Sequence, residues 1–189
     1  MASKDRKFRE LILYLAKLSE ADPRCGRTKL NKLLFYCDFR AYDSLGASIS
    51  GQLYKKREFG PTPKALMPVV SELEGEGACA WADRTWHGRQ MKKLVALREP
   101  HLAVFGPEEI DLIRNLVEEL WSYDGSEISE KSHGFAGWQA SASGEEIPYN
   151  MVFVDDARPL SEEEESWALS VIERYRARKA AAGRAGAGG

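Results

Sequence analysis

Asp38 is the residue whose surroundings most demand a chemical explanation. It lies in TKLNKLLFYCDFRAYD, residues 28–43, between Cys37 and Phe39 and within helical reach of Phe35 and Tyr42. A carboxylate in apolar company is buried only with a basic or hydrogen-bonding partner. Such a setting serves either a structural pair or a tuned acid. Ser132-His133, followed by Trp138, is the other combination with chemical potential, a nucleophile beside a base. Neighbouring helical residues point about 100° apart, so the imidazole is poorly placed to take the hydroxyl proton. The expectation is that His133 packs on Trp138 and hydrogen-bonds a backbone carbonyl. His87, in a turn, and His101, in a linker, are expected at the surface. No GxGxxG, P-loop, HExxH or GxSxG pattern is present. The chain is therefore expected to be no enzyme, with no catalytic residue and no cofactor.

Cations raise a different possibility. Lys55-Lys56-Arg57 lies on an extended stretch, and Arg89, Lys92 and Lys93 lie on a candidate hairpin. Clusters of this kind are what phosphate contacts require. Helix, strand, helix and hairpin over residues 28–97 is loosely the order of a winged helix, which makes a nucleic-acid-binding regulator the alternative reading. Against it, the spacer from Asp43 to Pro63 is too long for a helix-turn-helix turn. The following helix, PKALMPVVSELE, also has no Arg, Asn or Gln for base edges. Residues 1–100 hold 19 Lys and Arg against 12 Asp and Glu, a net of +7, and the remainder hold 8 against 17, a net of −9. This asymmetry fits either a charged partner or two faces attracting each other within one fold.

These residues need elements to position them. Lys4–Glu20 reads as a helix with Phe8, Leu11, Ile12, Leu15 and Leu18 on one stripe. The next helix, with Thr28 as its N-cap, carries Leu30, Leu33, Leu34, Cys37 and Ala41 on one face and Asn31, Phe35, Asp38 and Tyr42 on another. Apolar on two faces, it must be covered on two faces, which makes it the centre of the domain. Its polar strip is Lys29, Lys32, Tyr36, Arg40 and Asp43. Ile49–Glu58 is expected to be extended. Thr62-Pro63 reads as the cap and first residue of a helix to Leu73, bent by Pro68. Residues 78–84 and 90–97 pair as a hairpin through Thr85–Arg89. Helices follow from Pro107 to about Trp121 and from a Ser126 cap to about His133. Trp138–Asp156 is expected to be irregular with an extended Tyr149–Val154, and a last helix carries a Ser161–Glu164 capping box with Trp167, Val171, Ile172 and Tyr175. The fold class is α+β: a mainly helical single domain, residues 1–180, round a buried central helix, with a β-hairpin, one or two short extra strands, and a disordered Gly/Ala tail at 181–189.

The remaining composition is that of an ordinary soluble chain, 43% hydrophobic and 30% charged. It has no apolar run of membrane-spanning length and no signal-peptide core. Cys25, Cys37 and Cys79 lack CxxC spacing, which argues for a reduced cytoplasmic setting and against disulfides or a metal site.

Three collinear stretches resemble one known family. Lys29-Leu30-Asn31-Lys32-Leu33-Leu34-Phe35-Tyr36-Cys37-Asp38 is similar to the KLxKLLYxAD helix of the Panacea domain, the SocA-like antitoxins. Ile49-Ser50-Gly51, Tyr54 and Phe59-Gly60-Pro61-Thr62-Pro63 resemble its ITG…Y…YGPVP segment, and Ser132-His133, Trp138 and Gly144…Ile147-Pro148-Tyr149 its SH…W…G…IPY portion. Departures are Cys37 for alanine, Thr62 for valine, and Pro68. The resemblance covers roughly residues 8–150. It implies an antitoxin that neutralises a cognate toxin by protein–protein contact, and in one related case by delivering the toxin to a protease. It also marks Lys29, Lys32, Asp38, Tyr54, Gly60, Pro61, His133 and Trp138 as family-motif structural residues. Asp38 is expected to be anchored by Tyr54 or Arg57, with the turn at Gly60-Pro61 bringing them over the helix. Partner contact then falls to Lys55, Lys56, Arg57 and Trp86, because aromatic and arginine anchors dominate interface energetics.

Overall fold

The computed structural model describes residues 3–155 and Ser166. The expected last helix, with Ser161, Glu164, Trp167, Val171, Ile172 and Tyr175, and the tail at 181–189 lie outside the described residues.

Helix α1, Lys4–Leu18, is capped by Ser3, whose hydroxyl accepts from the Arg6 N–H. Helix α2, Arg27–Leu45, begins at Gly26 rather than at Thr28 and ends at Gly46, whose φ of +74° suits a residue without Cβ. Both helices are more buried than their stripes require. On α2, Leu30, Leu33, Leu34, Cys37 and Ala41 join one core with Phe8, Leu11, Ile12 and Leu15 of α1. Phe35 and Phe39 build a second, aromatic core with Tyr54, Ile147 and Val152. Being greasy on two sides, α2 is packed on two sides, as its pattern demands. The expected polar strip is different. Arg40 and Asp43 reach solvent, but Lys29 and Lys32 are each 1% exposed.

A three-stranded sheet lies beside the aromatic core. Strand β1, Tyr54–Lys55, is central; β2, Thr62–Pro63, pairs with it antiparallel on one edge, and a strand from the far end of the chain, Glu146–Ile147, pairs with it on the other. Tyr54 opposes both Pro63 and Ile147, so this register joins the second motif stretch to the third. Thr62-Pro63 thus belongs to a strand and opens no helix. Helix α3 runs Leu66–Gly75 and places Pro68 in its first turn, where a missing N–H costs nothing and no bend follows.

Strands β3, Cys79–Trp86, and β4, Arg89–Ala96, form the hairpin. The connection shrinks to His87-Gly88, both at positive φ (45° and 75°), as a two-residue primed turn requires. Helix α4, Pro107–Glu119, starts with Glu109 accepting from the Gly106 N–H. Helix α5, Gly125–His133, is capped by Asp124, not by Ser126; Asp124 accepts from the Ser126 and Glu127 N–H groups, and Glu127 accepts from the Asp124 N–H in return. The stretch expected to be irregular forms helix α6, Ala136–Ala140, then β5, Glu146–Ile147. Tyr149–Val154 is not extended but a 3-10 turn, Tyr149–Met151, running into α7, Val152–Asp155. Its helical path lets Tyr149 stack on Tyr42 at 5.4 Å and donate its hydroxyl to the Gln52 carbonyl at 2.6 Å. Among the described residues no helix is long and apolar enough to cross a membrane.

Candidate functional site

The charged motif residues point inward, and each meets a different solution. Lys29 Nζ donates to Asp22 Oδ2 at 2.6 Å and to the Trp121 and Tyr123 carbonyls at 2.8 Å, which uses all three protons. Asp22 Oδ1 accepts from the Arg24 N–H at 3.0 Å and its Nε at 3.1 Å. Burial opposes the Asp22 carboxylate, yet its bonds to Lys29 and Arg24 outweigh it and hold the group below its ordinary value. This closed set clamps the loop after α1 to the end of α4. Lys93, expected as a surface cation, tightens the same loop from β4: it is buried and donates to the Glu20 and Asp22 carbonyls.

Asp38 is fully buried and reached by hydrogen bonds rather than by a cation. Oδ1 accepts the Ser50 N–H at 2.7 Å; Oδ2 faces the Ser50 hydroxyl and the Tyr54 hydroxyl, the latter at 2.8 Å. Tyr54 is therefore the anchor, and Arg57 is not: it is exposed. Burial raises the Asp38 carboxyl above its ordinary value, and the bonds from Ser50 and Tyr54 offset only part of that. Tyr54 Oη also lies 2.9 Å from the Leu34 carbonyl, so its single proton faces two acceptors.

Lys32 is the least supported of the three. Its Nζ donates to the Pro61 carbonyl at 2.8 Å, with no carboxylate alongside among the described residues, and burial pushes the ammonium down to about 7. The turn that presents this carbonyl holds Gly60 at φ +93°, where a Cβ would lie 2.2 Å from Ser132 Oγ and 2.8 Å from Lys32 Nζ. Gly60 is thus required by close approach and by left-handed backbone.

Ser132 does not face a base. It is fully buried and donates to the Ser129 carbonyl at 2.6 Å. His133 stacks on Trp138 with ring centroids 4.1 Å apart, as expected, but its Nε2 is buried with no hydrogen-bond partner among the described residues. Trp138 donates its indole N–H to the Arg57 carbonyl at 3.2 Å, and Lys56 Nζ lies 4.2 Å from its ring.

The four residues expected to meet a partner do not form one patch. Lys56 folds back onto Trp138, while Lys55 and Arg57, on the alternate side of the chain, line a cavity of about 270 Å³ with Arg27, Asn31, Lys64 and Met67. Trp86 lines a second cavity, about 920 Å³, between the hairpin and α5; Arg27 borders both. Spacing held no sign of Arg27, Lys64 or Arg89 as members of this face, because three separate segments bring them there.

The arrangement defines a scaffold whose motif charges are internal and whose unpaired cations are external. The family model described as antitoxin SocA-like, Panacea domain, matches residues 30–139. This chain belongs to that family. The match runs from the first core leucine of α2 into α6 and stops short of the Ile147-Pro148-Tyr149 stretch. No curated protein and no solved structure matches the chain.

Proposed function

We propose that this protein is the antitoxin of a toxin–antitoxin pair and neutralises its cognate toxin by direct contact, without catalysing a reaction. The observation that supports this reading is the division of labour among its charges. Lys29, Lys32 and Asp38 are held inside the fold, whereas Arg27, Lys55, Arg57, Lys64 and Arg89 have no carboxylate partner among the described residues. A scaffold that holds its motif charges inside leaves its outer cations to meet a partner. The nucleic-acid reading is weaker on this geometry. Helix α2 is buried on two faces, and α3 offers no Arg, Asn or Gln for base edges.

Co-expression tests the proposal. The product of the adjacent open reading frame should arrest growth alone, lose that effect with this protein, and co-purify with it. Arrest that continues despite this protein, or rescue with no complex and an unchanged toxin level, overturns direct neutralisation. Rescue accompanied by loss of the toxin in a protease-dependent manner assigns delivery to a protease instead.

A further inference from the structure

We infer that the partner is gripped through a carboxylate-bearing peptide segment, its acidic side chains entering the smaller cavity and an apolar neighbour resting on the rim. This deepens the antitoxin reading and rests on it for the partner's identity. The cavity wall holds Arg27, Lys55, Arg57 and Lys64 and no Asp or Glu. Several surface cations elsewhere have found acids: Lys7 with Glu109, Arg9 with Glu72 and Glu76, Arg98 with Glu10, Lys92 with Asp83. At this concavity four cations without an acid among the described residues share one wall, where they repel one another and attract an incoming carboxylate.

One further feature favours a peptide over a nucleic acid. The surroundings are also apolar. Met67 on the wall is 48% exposed, and Leu53, whose carbonyl accepts from the Lys64 N–H, is 48% exposed. Charged contacts beside exposed apolar side chains are the make-up of a protein interface with a greasy centre and a polar rim.

Fluorescence anisotropy on the full chain tests this without the toxin. The probes are a fluorescein-labelled peptide of glutamates around one phenylalanine, its glutamine counterpart, and a short single-stranded oligodeoxynucleotide. The glutamate peptide should bind about tenfold or more tightly than the glutamine peptide. Arg57→Glu with Lys64→Glu, both at exposed positions, should erase that preference at an unchanged melting temperature, and Arg6→Glu, an exposed cation elsewhere, should keep it. The inference is overturned by equal binding of the two peptides, by a preference that survives the paired reversal, or by an oligonucleotide that binds more tightly than the glutamate peptide and is lost with the same reversal. The two readings fail separately. Peptide preference without growth rescue removes the antitoxin proposal alone, and growth rescue undiminished by the paired reversal removes this one alone.

Discussion

Lys32 and Pro61, 29 residues apart in sequence, are joined by one buried hydrogen bond from Nζ to the carbonyl oxygen, 2.8 Å long, with no acid among the described residues to balance the charge. The family's central helix and its Gly-Pro turn are fastened to each other by this contact. It works equally well for a neutral amine, which still donates.

That contact sets a pH dependence. The lysine titrates at 10.5 when unfolded and at about 7 when folded. Between these values the unfolded chain holds the proton and the folded chain does not, so stability rises with pH across the window and the gain is lost as pH falls through 7. Urea unfolding of Lys32→Met across the same window should lack the rise, the two profiles diverging by a few kcal/mol at about 1.4 kcal/mol per pH unit. Parallel profiles would show that Lys32 is not buried as a strained cation.

Asp38 has the opposite slope. Its folded value lies above the 3.8 of the unfolded chain, so its stabilisation is full below 3.8 and fades as pH rises through the folded value. Asp38→Asn, neutral throughout, should remove that decline. Asp38→Ala, which strips the acceptor from the Ser50 N–H and from both hydroxyls, should cost about 3–5 kcal/mol. An unchanged melting temperature for the alanine variant would contradict its burial.

Lys29 and Asp22 form a true ion pair at 2.6 Å, both buried. Lys29→Met leaves the Asp22 carboxylate with Arg24 alone and should destabilise by about 3–5 kcal/mol. Asp22 sits below its ordinary 3.8, so its stabilisation is present above 3.8 and lost as pH falls through the lower, folded value. In the variant, acid unfolding should begin at higher pH. The double variant Asp22→Asn with Lys29→Met should recover part of the loss, and a strictly additive loss would deny the coupling.

Gly60 and Gly88 separate strain from collision. Both have positive φ, 93° and 75°, but only Gly60 has neighbours where a Cβ would stand. Gly88→Ala should cost about 1–2 kcal/mol from backbone strain, and Gly60→Ala clearly more, since Ser132 and Lys32 must also move. Equal losses in thermal melts would mean that the Gly60 turn is not packed against α2 and α5.

The elements were largely legible, and the boundaries erred where tertiary contact chose between local options. Thr62-Pro63 has the chemistry of a helix start, but pairing with Tyr54 drew it into a sheet whose other edge comes from residue 147. Tyr149–Val154 has strand-forming residues, but stacking on Tyr42 coils it. Each is a non-local contact overriding a local propensity.

At the site the division was sharper. Asp38 and Tyr54 were identifiable because a carboxylate among aromatics needs a hydroxyl or a cation. Lys29 and Lys32 were misplaced because their helical positions read as a polar strip, and nothing local says that Tyr123 and Pro61 will cover them. The cavity-lining cations were invisible as a group, since Arg27, Arg57 and Lys64 come from three segments.

Order, periodicity and three collinear motifs were enough to determine the family, the helical α+β class and the two-faced central helix, because these depend on residue type and spacing along one segment. Which lysines are buried, which donors reach Asp38, and which cations converge on one concavity were decided only by the folded chain. Each of those outcomes depends on distances between segments far apart in sequence, which no periodicity encodes.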